Sequence, residues 1–260
     1  VSYPDMVLLA NGSPVILKTS SENNYRFNAE ELDKVLTKKT RLIMLNSPSN
    51  PTGVTYTKDQ YKIIGDVLKN YPDVLIATDD MYEHIYWGDD KFCSFAATCP
   101  DMFDRTITIN GVSKAYAMTG WRIGYCGGPK RIVSSMKKIQ GQSTSNASSI
   151  SQAAAVAALN GPHKIVRSMA KEYEKRHKFI FNALNKINGF SPVEATGAFY
   201  TFPKVSGAIE YLNLSDDIEF SNFLLERAQV AVIPGSAFGA KGHIRLSFAT
   251  SMELLNEAIN

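Results

Sequence analysis

Asn110-Gly111-Val112-Ser113-Lys114-Ala115-Tyr116-Ala117-Met118-Thr119-Gly120-Trp121-Arg122-Ile123-Gly124-Tyr125 follows directly on Thr106-Ile107-Thr108-Ile109. The short run before it is rich in β-branched residues, as a strand packed within a sheet requires. A lysine just past such a strand lies where α/β sheets bind ligands, at the carboxyl ends of the strands. Its amine can form an imine with an aldehyde if it is available unprotonated. Arg122, eight residues on, offers a planar fork suited to phosphate. Taken singly, these two residues equally describe a surface lysine and a structural arginine.

Outward from this stretch, the first two-thirds of the chain alternates strands and helices. Leu42-Ile43-Met44-Leu45 and Val74-Leu75-Ile76-Ala77 are short apolar runs of the kind buried on both sheet faces. Ile123-Gly124-Tyr125-Cys126 predicts a further strand. Thr57-Lys58-Asp59-Gln60 has capping-box spacing and predicts a helix to about Lys69. The pattern is that of an α/β layer with a mainly parallel sheet. From Gly161 to about Ile187, Ile165, Met169, Tyr173, Ile180, Leu184 and Ile187 recur at helical spacing. That helix is read as a link between two domains. Beyond it, strands at Ala198–Phe202, Val230–Ile233 and His243–Phe248 and a helix around Asp217–Gln229 suggest a smaller α+β unit. Ser143–Ser151 reads as a loop leading into an Ala-rich helix, Gln152–Leu159.

Composition narrows the function. The 260 residues fit one large or two modest domains, with 44% hydrophobic and 20% charged residues. A net charge of +3 without a long basic run argues against nucleic acid. Cys93, Cys99 and Cys126 form no CxxC pair, and His84, His163, His177 and His243 show no ligand spacing, so no metal is assigned. No apolar run is long enough to span a bilayer. Val1-Ser2-Tyr3-Pro4-Asp5 has neither a basic start nor an apolar leader region, and without a starting Met it reads as mid-protein.

Five segments carry a family resemblance, and three of them each close a predicted strand. Ser-Lys-x-x-x-Met-x-Gly-x-Arg-x-Gly around Lys114 resembles the pyridoxal-phosphate (PLP) lysine signature of class I/II aminotransferases, which are fold-type I proteins. By that resemblance Lys114 is the Schiff-base lysine and Arg122 a phosphate ligand. Asn46-Ser47-Pro48-Ser49-Asn50-Pro51-Thr52-Gly53 is similar to the family's Asn-Pro-Thr-Gly turn, whose asparagine, here Asn50, bonds the cofactor's phenolic oxygen. Thr78-Asp79-Asp80-Met81-Tyr82 matches the family's Asp-x-x-Tyr. The resemblance pairs Asp79 with the pyridine nitrogen and Tyr82 with the phenolic oxygen. His243-Ile244-Arg245-Leu246-Ser247 resembles the strand whose arginine clamps the substrate α-carboxylate. Thr196-Gly197-Ala198-Phe199-Tyr200 looks like a stretch lining the site.

The resemblance implies a three-layer αβα PLP-transferase large domain, residues 1–172, with a mainly parallel mixed sheet, and a small α+β C-terminal domain, residues 173–260. It implies a ping-pong aminotransferase moving an amino group from an L-amino acid to a 2-oxo acid such as 2-oxoglutarate. It further implies a homodimer with shared active sites, while the odd, unpaired cysteines suit a cytoplasmic protein. Aspartate is the expected donor, because Met118–Tyr125 and Gln142-Ser143-Thr144-Ser145 resemble the bacterial aspartate subgroup. The rivals are an aromatic/prephenate or alanine aminotransferase and a fold-type I lyase. The non-enzyme rivals are a PLP-sensing regulatory domain and an inactive fragment. Two departures stand out. Gly111 occupies a place where several relatives carry a hydroxyl for the phosphate. The chain also resembles the family only from just after the aromatic residue that stacks on the cofactor. The first strand of the large domain and a phosphate-binding loop are thus expected to be missing, leaving an open sheet edge.

Overall fold

Three parallel strands form the centre of the larger sheet. β1 (Leu42–Asn46), β2 (Leu75–Asp79) and β3 (Thr106–Gly111) lie in that order, and β4 (Gly124–Gly127) joins β3 antiparallel. The computed structural model describes residues 2–260; Val1, with which the expected large domain begins, lies outside the described residues. α1 (Ser2–Leu9), α2 (Ala29–Val35), α3 (Lys58–Leu68) and α4 (Phe95–Thr98) precede β3. α5 (Lys130–Ser143), α6 (Ser149–Asn160) and α7 (Lys164–Leu184) follow β4.

Leu32 and Leu36 from the α2 region, Tyr61, Ile64 and Leu68 from α3, and Leu45 and Ile76 from the sheet share one buried core with Phe95 and Met102. Burying such side chains is worth about 1.5–3 kcal/mol each, which anchors both helices to the sheet. The expected capping box of α3 is present: Thr57 Oγ1 accepts from Gln60 N at 3.3 Å, and Gln60 Oε1 accepts from Thr57 N at 2.8 Å. Arg105 then donates to the carbonyls of Leu68, Tyr71 and Val74, satisfying backbone acceptors between α3 and β2. At the β3–β4 end, Ala155 of α6 packs on Val112 and Ile123.

The smaller sheet contains β5 (Tyr200–Thr201), β6 (Ile233–Pro234) and β7 (Ile244–Ser247) in the antiparallel order β5-β7-β6. α8 (Ser206–Tyr211), α9 (Asp217–Ala228) and α10 (Met252–Ile259) complete it. β5 and β6 are much shorter than the runs predicted from sequence. Ala198 adopts φ 60° and its N–H donates to Ile85 O, so the segment before β5 is drawn away from its own sheet. The loop before α6 is likewise shorter than predicted, because α6 begins at Ser149 and α5 extends to Ser143.

α7 runs unbroken through residues 172 and 173. Its buried face is Val166, Ala170, His177, Ile180 and Leu184, and Ile165, expected on that face, is 73% exposed. The real seam is thus rotated by one residue at its N-terminal end. His177 is fully enclosed; its Nε2 accepts from Ala195 N at 3.1 Å, and its ring centroid lies 5.6 Å from that of Trp87. Burial pushes its pKa down to about 4. The unfolded chain therefore takes up this proton first as pH falls. The neutral imidazole's contribution is full above about 6.5 and is lost progressively toward pH 4. At about 1.4 kcal/mol per pH unit, the loss is about 3 kcal/mol. His177→Gln should remove it, so that urea denaturation shows the wild-type-minus-variant stability falling between pH 6.5 and 4. A constant difference over that range would contradict the buried neutral histidine.

Candidate active site

The strand register sets the first residues of the site. Asn46 pairs with Asp79, and Asp79 with Ile109 next to the lysine loop. Asn46 Nδ2 donates to Asp79 O at 3.0 Å, while its Oδ1 accepts from Asn50 N at 2.8 Å. The turn carrying Asn50 is thereby tied to the end of β2. Asp79 Oδ1 accepts from Met81 N at 3.2 Å, and Oδ2 accepts from the Tyr3 hydroxyl of α1 at 2.6 Å. The adjacent Asp80 differs sharply from it. Asp80 is buried with neither oxygen bonded among the described residues, and burial first, then Glu83, raises its pKa to about 7.

Tyr82 is buried with its hydroxyl 3.2 Å from that of Tyr200. Burial, with Tyr200 as the next cause, pushes the Tyr82 phenol well above its ordinary range, so it stays protonated and able to donate. Arg245 of β7 completes this wall. Its Nη1 donates to Asn50 Oδ1 at 2.9 Å, and its guanidinium carbon lies 4.4 Å from the Tyr200 ring centre and 5.2 Å from that of Phe238. Arg245 Nε is buried without a partner among the described residues, leaving a donor to satisfy.

Lys114 sits in the turn after β3 with Nζ 6.0 Å from the Phe199 ring centre, and Phe199 packs on Tyr82 at 5.4 Å. Burial lowers the Lys114 pKa, Arg245 and Arg122 lower it further, and Asp79 opposes them. The amine is thereby moved toward the unprotonated form that nucleophilic chemistry needs. Arg122 is exposed, adopts φ 54°, and donates through Nη1 to Thr119 O of its own loop at 2.9 Å.

Backbone contacts hold the two sheets' loops together. Gly53 O accepts from Thr196 N and Gly197 N, each at 3.0 Å, and Thr55 Oγ1 lies 2.6 Å from Thr196 Oγ1. A Cβ on Gly197 would stand 2.7 Å from the Pro48 side chain and 2.8 Å from Ile85 O, so only glycine allows this approach.

Five residues selected from the sequence, Asn50, Asp79, Tyr82, Lys114 and Arg245, are linked here by hydrogen bonds, ring contacts or mutual charge effects. Arg122 reaches the group only through its effect on Lys114. Tyr3 and Asn46 join the site without a role expected from the sequence. Asn46 could have been flagged as the polar residue ending an apolar run, but Tyr3 lies 76 positions from its partner and carries no local signal. Among the described residues no cluster of His, Cys, Asp or Glu is arranged to hold a metal, and no helix is long and apolar enough to cross a membrane.

Residues 1–260 match the family model described as aminotransferase class I and II. The chain belongs to the class I and II aminotransferases. It is 51% identical over 265 residues to the aspartate/prephenate aminotransferase of Nitrosomonas europaea, covering 100% of this chain and 67% of that protein. It is 46% identical to the probable aspartate/prephenate aminotransferase of Rickettsia felis, covering 99% of this chain and 64% of that one. Its fold superposes on the crystal structure of the aspartate aminotransferase from Rhizobium meliloti with a TM-score of 0.92 at 43% identity, covering 99% of this chain and 66% of that one. The aromatic aminotransferase of Pyrococcus horikoshii gives the same TM-score at 41% identity, covering 100% and 68%. The chain thus spans about two thirds of the length of these aminotransferases, and its α/β architecture is the fold-type I architecture.

Class I and II aminotransferases use PLP, and the groups present fit it. An amine of lowered basicity, a carboxylate, a protonated phenol and a guanidinium with an unpartnered Nε occupy one wall. Gly111 is enforced by packing. A Cβ there would lie 2.8 Å from Ile123 O and 3.2 Å from Gly124 Cα, both backbone atoms where the chain enters β4 beside β3. Gly111→Ser should therefore separate these strands and cost about 1–3 kcal/mol. Calorimetry should show a lower Tm, and an unchanged Tm would mean the strands yield freely.

Proposed function

We propose that this chain carries the lysine-bearing part of a PLP-dependent aspartate aminotransferase. The observation that carries this reading is Lys114: an amine at the carboxyl end of a parallel strand, made less basic by burial and two arginines. Residues 1–172 would form the large domain and residues 173–260 the small one. The acceptor would be 2-oxoglutarate and the assembly a homodimer with shared sites, as the family resemblance implies, and its location cytoplasmic, which the unpaired cysteines suit.

When bound, PLP supplies a ring that withdraws electrons from the substrate Cα. Lys114 would hold its aldehyde carbon, Asp79 its ring nitrogen, Asn50 and Tyr82 its phenolic oxygen, and Arg122 its phosphate. A carboxylate facing the ring nitrogen favours that nitrogen's protonated form. Arg245 grips the α-carboxylate of the amino acid through a charge-assisted fork, preset by Asn50 and by the Tyr200 and Phe238 rings. That grip orients the Cα–H bond. Lys114 Nζ, set free when the amino group of the amino acid takes its place on that aldehyde carbon, would take the Cα proton as an unprotonated general base.

The test is a half-reaction. L-Aspartate added to the PLP-loaded protein without acceptor should convert the absorption band of lysine-bound cofactor to that of the amino form. Lys114→Ala should abolish the borohydride-reducible link between protein and cofactor. Arg245→Ala should lower kcat/KM for aspartate about 100-fold, the loss expected for a charge-assisted pair. No conversion with any amino acid, or a reducible link surviving in Lys114→Ala, would overturn the assignment. A second reading, with prephenate as acceptor, is supported by the descriptions of the N. europaea and R. felis relatives. The return half-reaction, with the amino form of the cofactor offered prephenate or 2-oxoglutarate in turn, separates the two.

A further inference from the structure

The contact between α1 and the end of β2 joins two residues 76 positions apart, yet it is the shorter of the two bonds that Asp79 accepts through its carboxylate: Tyr3 Oη donates to Asp79 Oδ2 at 2.6 Å. Short O–H···O⁻ bonds of this kind are charge-assisted and directional. Among the described residues the other oxygen, Oδ1, accepts only the longer bond from Met81 N at 3.2 Å. Tyr3 is half-buried, and burial together with Asp79 pushes its phenol well above the usual range, so the proton stays on Tyr3 and the bond keeps one direction. Each carboxylate oxygen still has a lone pair free for another donor.

We propose that Tyr3 is a positioning residue that fixes the Asp79 carboxylate so that its remaining lone pairs face the nitrogen of a pyridine-type cofactor. This rests on the reading of Asp79 given above. Without the Tyr3 hydroxyl, the carboxylate is held on one side by a single long bond and can turn about its own axis. A group that supports a ligand-holding residue in this way commonly matters about 10-fold or more to the affinity of what is held.

The measurement uses the protein in its native assembly and two probes, PLP and its 1-deaza analogue, in which a ring C–H replaces the nitrogen. The ratio of the two dissociation constants isolates the pairing between Asp79 and the nitrogen. Asp79→Ala should collapse that ratio toward one. Tyr3→Phe, which keeps the ring and its packing, should reduce the ratio about 10-fold while affinity for the deaza analogue stays near wild type. If Tyr3→Phe weakens both probes equally, Tyr3 is only structural and the proposal fails. A raised ratio would show that Tyr3 competes with the ring nitrogen, which also overturns it. If Asp79→Ala itself leaves the ratio unchanged, the reading of Asp79 fails and this inference with it.

Discussion

The parallel register of β1, β2 and β3 is the constraint from which the rest of the site follows. Asn46 sits opposite Asp79, and Asp79 opposite Ile109, so three loops leave the sheet at one level. A one-residue slip would send each strand's side chains to the opposite face. Asp79 would exchange places with buried Asp80, a carboxyl that has no partner among the described residues and whose pKa is raised to about 7. The core of Leu45, Ile76, Ile64 and Leu68 resists that slip by keeping the apolar side chains of β1 and β2 against α3. Hydrophobic packing on one face of the sheet thus decides which carboxylate stands at the site.

The second layer of control lies between the two sheets. Gly53, Ile85 and Gly197 let backbone meet backbone, and the small sheet delivers Tyr200 and Arg245 against Tyr82 and Asn50. Each of these pairs has one member from the β1–β2 loops and one from the small sheet. The site is therefore formed by docking, and neither sheet holds it alone. Buried donors left without partners among the described residues, such as Arg245 Nε, make that docked surface costly unless something accepts from it.

The residues that could be read from sequence are those lying in the motifs that carry the family resemblance, most of which close an apolar run. Asn50, Asp79, Tyr82 and Lys114 each follow an apolar run, and the end of a strand is a place that a sequence pattern marks. The capping box at Thr57 was legible because its partners lie three residues apart. β5 and β6 were overestimated because pattern alone does not show that Ala198 bonds to Ile85 in another unit. The α7 face was misjudged at Ile165 because a helix with apolar residues at 165, 166, 169 and 170 admits two stripes. Packing of His177 between Ala195 and Trp87 selects one of them. Tyr3 was invisible for a stricter reason: its partner is distant in sequence and its neighbours are unremarkable.

Charge ties these layers to chemistry. Lys114 is made less basic by burial, by Arg245 from the small sheet and by Arg122 from its own loop, while Asp79 pulls the other way. Two cations near an amine also form a receptive place for anions. An anion seated on Arg122 or Arg245 would offset the repulsion that each exerts on the amine. The same arginines that would hold a phosphate and a carboxylate therefore also adjust the lysine between them. Asp79 is the opposing charge in that balance, and its orientation is set by Met81 N on one oxygen and Tyr3 on the other. The reactivity of Lys114 is thus set jointly by a loop arginine, a small-sheet arginine and a carboxylate anchored from α1, none of which the lysine's own strand supplies.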